Sequence, residues 1–110
     1  MGSPAEQAIA EAMNRLWAQY LPQIEERVQT LEAAAVALKD GTLTSAERED
    51  ATAAAHKLAG VLGTFGLPEG TALAREMEEF YCNGVQLSAG AEGRPAEVAS
   101  LLRAVVATRK

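Results

Sequence analysis

The strongest constraint on this chain is the spacing of its apolar residues, which recur at three and four positions and show no sustained alternation at two. Such spacing lays a stripe along a helix and gives a strand no single buried face. Alanine and leucine are abundant, and no run of β-branched residues competes with the helical reading. The chain therefore reads as all-α.

A first helix is expected over about residues 4–20, where Ile9, Met13, Leu16 and Tyr20 share a face with Trp17 beside them. Ser3, Pro4 and Glu6 offer it a cap, a first-turn proline and a capping-box carboxylate. Pro22 then permits a fresh start or a kink. A second helix is expected over about 22–39, with Ile24, Val28, Leu31, Ala35 and Leu38 in one stripe and Asp40-Gly41 as its stop. Thr44 and Glu47 form another capping box, opening a third helix that runs through His56 to about Phe65. Gly66, Leu67 and Pro68 turn the chain into a fourth helix over about 69–82, which packs through Leu73, Met77 and Phe80 and stops at Asn83-Gly84. The glycine-rich stretch 84–94 reads as a flexible surface loop. A fifth helix starts near Pro95 and buries Val98, Leu101, Leu102 and Val105. Helices of similar length with short connections imply an antiparallel up-down four-helix bundle, with the additional N-terminal helix capping it or lying along it. No internal repeat of solenoid period is visible.

At 110 residues the chain is long enough for one core, so a single helical domain is expected over 4–110, with residues 1–3 resembling a cloning remnant. Ten basic against fifteen acidic residues, with no basic cluster, argue against nucleic acid or anionic lipid as the main partner. No segment approaches the apolar length of a membrane span. The single cysteine, Cys82, cannot form an intramolecular disulfide, and no secretory leader is seen, so a cytoplasmic setting is expected. One histidine and one cysteine cannot close a zinc site, and no G-x-x-x-x-G-K-[ST] loop is present, so neither a metal nor a bound nucleotide is expected. A Cys82–His56 nucleophilic pair has no flanking signature to support it. Trp17, Tyr20 and Tyr81 read as core or core-edge aromatics, and Glu25-Glu26-Arg27 and Glu47-Arg48-Glu49-Asp50 as solvated helix faces.

His56 is the only histidine, and Thr52, Gly60 and Gly63 lie within about 40° of it around the helix axis. Leu58, Leu62 and Phe65, with Ala51 and Ala54, point the opposite way. The imidazole is thus displayed on a stripe stripped of bulk, where each glycine costs about 1 kcal/mol of helix propensity relative to alanine. Access for a large partner is one benefit that would offset this cost; close helix packing is the other. An imidazole, with an ordinary pKa of about 6.5, is largely neutral and nucleophilic at physiological pH and can attack phosphorus. Phosphoryl transfer asks the protein mainly for positioning and charge neutralisation. Lys57, about 100° round the helix from His56, offers a cation on a long stem.

The segment His56-Lys57-Leu58-Ala59-Gly60-Val61-Leu62-Gly63-Thr64-Phe65-Gly66 resembles the phosphoacceptor motif of histidine-containing phosphotransfer (HPt) domains of two-component phosphorelays. Leu58, Gly60, Gly63, Phe65 and Gly66 match that pattern, and Leu67, Leu73, Ala74, Met77 and Glu78 resemble the family's next helix. The resemblance covers about residues 21–107. It implies that His56 is the phosphoacceptor through Nε2, in a phosphocarrier that is not an independent catalyst. The implied partners are a response-regulator receiver domain, a histidine kinase or both, with magnesium on the receiver and no cofactor on this chain. A monomer is expected. Lys57 is the expected phosphate-stabilising cation, because Ala59 stands where the family usually has lysine. Glu49, Thr52, Ala53, Gly60, Gly63 and Thr64 are the expected docking residues around it.

Two other readings fit parts of the sequence. A helical module could bind a receiver or another partner without carrying phosphate, and the alanine at 59 favours that reading. The dimerisation helices of a sensor kinase fit less well, since an acidic residue and then a proline typically follow the histidine there, whereas Lys57 and Leu58 follow it here.

Overall fold

The computed structural model describes residues 3–82 and 93–109. Those residues form four helices and no strand: α1 (Pro4–Lys39), α2 (Ser45–Thr64), α3 (Pro68–Cys82) and α4 (Arg94–Thr108). The expected stop at Asn83-Gly84, most of the expected loop after it, and residues 1–2 lie outside the described residues. Arg94, expected at the end of that loop, begins α4 instead.

Local chemistry sets the helix limits as the sequence suggests. The Ser3 hydroxyl accepts from the Glu6 amide while the Glu6 carboxylate accepts from the Ser3 amide; Thr44 and Glu47 repeat the exchange at α2. These hydrogen bonds hold the Glu47 carboxyl below its ordinary pKa. Asp40 caps the end of α1, and Gly41 adopts a φ of 72°, the left-handed conformation glycine takes at low cost. Gly66 does the same at 71° between α2 and α3.

Residues 4–39 form a single helix, with Pro22 inside it, rather than two helices divided there. Proline removes one backbone hydrogen bond and costs about 3 kcal/mol in a helix interior. Pro22 lies on the exposed side, however, while Trp17, Leu21, Ile24, Val28, Leu31 and Ala35 run past it in phase on the inner side. Continuous packing of that stripe offsets the missing bond, so the helix continues.

The helices are consequently unequal in length. At 1.5 Å per residue α1 spans about 54 Å and the others about 22–30 Å, and the molecule measures 53 × 22 × 19 Å. Residues 3–11 are exposed throughout, and Ile9 remains 64% exposed, so the start of α1 projects past the bundle instead of capping it. Over the rest of its length α1 packs against α2 and α4, and α3 packs against the same two helices, closing a four-membered ring.

The core joins all four helices through Ile24, Val28, Leu31, Leu58, Leu62, Met77, Tyr81, Val98 and Leu102. In α4 the buried positions are Pro95, Val98, Ala99, Leu102 and Val106; Leu101 is exposed and Val105 half-buried, which shifts the inner face from the one expected. Trp17 meets the Phe65 ring edge-on at 5.1 Å between centroids, and the Arg109 guanidinium lies over both rings. At the rim, Arg103 on α4 grips Glu32 on α1 with two hydrogen bonds of 2.6 and 2.7 Å, and Arg94 bridges to Glu76 on α3.

Candidate functional site

His56 lies midway along α2, on the side away from Leu58 and Leu62, and its side chain is 73% exposed. Antiparallel packing of α2 on α3 supplies its neighbours. Four contacts fix the register: Arg48 reaches the Tyr81 carbonyl, His56 meets Glu78, the Thr71 hydroxyl donates to the Ala59 carbonyl, and Gly63 lies against Thr71. The glycine at 70 permits this closeness, since a Cβ there would come within 2.8 Å of Leu62 Cδ1.

The Nδ1 of His56 lies 2.7 Å from Oε2 of Glu78. A carboxylate accepts a hydrogen bond, so Nδ1 holds the ring proton and the neutral imidazole keeps its lone pair on Nε2. Glu78 therefore selects the nucleophilic nitrogen and orients the ring. The same carboxylate would oppose a positive charge growing on the ring if Nε2 formed a bond. Sequence reasoning placed Glu78 on the following helix but gave it no part in the site. The available signal was its place on the Thr71–Arg75–Glu78–Cys82 stripe beside the α3 core face; the pairing itself depends on the helix register, which no single-helix pattern reveals.

A groove beside the imidazole is lined by Arg48, Glu49, Thr52, Ala53, Lys57 and Glu78. It gathers five of the residues singled out from sequence: Glu49, Thr52, Ala53, His56 and Lys57. Lys57 is exposed in this groove. Tyr81 forms part of its floor; its hydroxyl is buried without a hydrogen-bond partner among the described residues, and burial pushes its pKa up to about 12. The Thr52 and Thr64 hydroxyls donate to the Arg48 and Gly60 carbonyls of their own helix.

The two glycines differ. A Cβ at Gly60 would meet nothing within 4 Å, so that position is open ground one turn from His56. A Cβ at Gly63 would lie 3.3 Å from the Thr71 hydroxyl, which makes glycine there a means of close helix packing. Gly63 and Thr64 are exposed but lie outside the groove, toward the end of α2. Ala59 is buried in the α2–α3 seam at 8% exposure, so position 59 presents no charge.

Among the described residues no helix is long and apolar enough to cross a membrane. Nor does any cluster of three or more histidine, cysteine, aspartate or glutamate side chains stand ready to hold a metal ion.

A family model described as Hpt domain matches residues 15–108. No curated protein and no solved structure matches the chain. The family match takes in all four helices, beginning within the first third of α1, and includes the whole His56 segment. With that match over most of its length, the chain belongs to the Hpt domain family, whose members are phosphocarriers of histidine phosphorelays.

Proposed function

We propose that this protein relays a phosphoryl group through His56. The donor is the phosphoaspartate of a receiver domain, or the phosphohistidine of a kinase, and a second receiver aspartate collects the group. The observation that carries this reading is an exposed imidazole whose Nδ1 is engaged by Glu78, leaving Nε2 as the attacking nitrogen.

In the transfer, the Nε2 lone pair attacks phosphorus in line while the P–O bond to the aspartate breaks and its electron pair returns to the carboxylate. The ring becomes an N-phosphorylated imidazolium that still holds the Nδ1 proton, and Glu78 neutralises it. The reverse sequence delivers the phosphoryl group to the next aspartate. Magnesium is held by the receiver, while Lys57 screens phosphoryl oxygens from this side. The partner docks over Glu49, Thr52, Ala53 and Gly60, with Gly63 and Thr64 at the edge of its footprint. The carrier acts as a cytoplasmic monomer.

Incubation with a phosphorylated receiver tests this directly. We expect an acid-labile, base-stable adduct that is absent in His56→Gln. Tight receiver binding without any such adduct would favour the alternative, a helical module that docks without accepting phosphate, for which the uncharged position 59 is the supporting observation.

A further inference from the structure

Phosphorylating His56 places a doubly charged group beside the Glu78 carboxylate, so the product carries a like-charge cost unless cations on the same rim offset it. Lys57 is one such cation, on the α2 side. Arg48 is partly committed, because its guanidinium donates to the Tyr81 carbonyl at 3.4 Å. Arg75 remains.

Arg75 stands on α3 between Thr71, which contacts Ala59, and Glu78, which contacts His56. In an antiparallel pair that position faces the stretch 56–59 of α2. Thr71, Arg75, Glu78 and Cys82 follow helical spacing along one side of α3, so the arginine shares the side that holds the imidazole. It is exposed, and it takes part in no hydrogen bond or ion pair among the described residues. It lines a depression with Gly63, Gly66, Pro68, Thr71 and Ala72, toward the α2–α3 turn, and a Cβ at Gly60, one turn of α2 nearer His56, would meet nothing within 4 Å. Between that depression and His56 along α2, position 60 carries no side chain and the buried Ala59 presents no charge.

We infer that Arg75 is the second phosphoryl-binding cation of this carrier, closing over Gly60 onto the phosphoryl oxygens of phosphorylated His56. A guanidinium suits this role because its planar fork can donate two hydrogen bonds to a phosphoryl group at once. Lys57 and Arg75 then clamp the group from the two helices, and Glu78 holds the ring beneath it. The inference rests on His56 being the phosphoacceptor.

Phosphoramidate provides a partner-free test. Nε2 attacks its phosphorus, the P–N bond breaks, and ammonia leaves with the bonding pair. Phosphorus NMR then follows the titration of the phosphoryl oxygens on His56 in the wild type, Arg75→Gln, Arg75→Lys and Lys57→Gln. A nearby cation lowers that titration point, a readout that a purely structural role leaves unmoved. Arg75→Gln should raise it by about half a unit, a modest effect because the site is solvated, and should shorten the phosphohistidine lifetime several-fold. Arg75→Lys should recover part of both. An adduct in Arg75→Gln that titrates and decays like the wild type overturns this inference alone. Failure of the wild type to form any phosphohistidine overturns it together with the phosphocarrier reading.

Discussion

At the residue scale, the 2.7 Å contact between Glu78 and Nδ1 of His56 leaves Nε2 as the nitrogen that the proposed transfer would use, and its removal has a defined consequence. Glu78→Gln keeps the shape but can present either an oxygen or an NH2 to the ring, so the tautomer is no longer fixed. Losing a charge-assisted hydrogen bond of about 1.5–3 kcal/mol should slow transfer into His56 by about tenfold or more. Rapid-quench measurement of transfer from a phosphorylated receiver checks this, with circular dichroism confirming the fold. The glycines separate access from packing. Gly60→Leu should obstruct docking and cut the transfer rate at least about tenfold while leaving the melting temperature unchanged or raised, because its Cβ has free space and the helix gains propensity. Gly63→Leu should lower stability as well, since its side chain would press on Thr71. Tyr81→Phe, which removes a buried hydroxyl with no hydrogen-bond partner among the described residues, should leave stability unchanged or raise it by up to about 1 kcal/mol in denaturant titration.

At the element scale, helix limits are written in short-range chemistry, so they are legible in sequence. Ser3 with Glu6, Thr44 with Glu47, and the left-handed glycines 41 and 66 all mark ends that the structure keeps. The division at Pro22 was not legible as false, because local preference favours a break there and only the packing of Trp17, Leu21 and Ile24 on other helices overrides it. Leu101 reads as core for a similar reason: it belongs to an apolar run on α4 whose rotation is set by its neighbours. Glu78 is the same lesson at the site. His56 and the open ground of Gly60 could be read along one helix, whereas the acid that orients the ring comes from another. Thr44→Ala should destabilise the fold by about 1 kcal/mol, whereas Ser3→Ala should cost less because it caps a projecting end that can fray alone. Pro22→Ala should stabilise the protein by up to about 3 kcal/mol, read as a higher denaturation midpoint.

At the scale of the whole molecule, four helices share one core while α1 continues beyond it, so deletion of residues 3–12 should change global stability by no more than about 1 kcal/mol. The bundle is laced at its rim by Arg103–Glu32 and Arg94–Glu76, and each arginine holds its carboxyl below the usual 4.5. A carboxyl whose folded pKa is depressed stabilises the fold fully above its unfolded value. That contribution is lost as pH falls through the folded value. Stability should therefore decline from about pH 5 downward. The decline should be shallower in Glu32→Gln, although both partners are partly solvated and the effect is small. For the proposed transfer, the bundle supplies one imidazole held outward with Nδ1 engaged and Nε2 free. The most direct measurement of that claim is phosphorus–nitrogen correlation NMR on 15N-histidine-labelled protein after transfer from a phosphorylated receiver. The account predicts phosphorus bonded to Nε2 of His56. Phosphorus on Nδ1, or no phosphorus on the ring while the receiver loses its phosphate only to water, would contradict it.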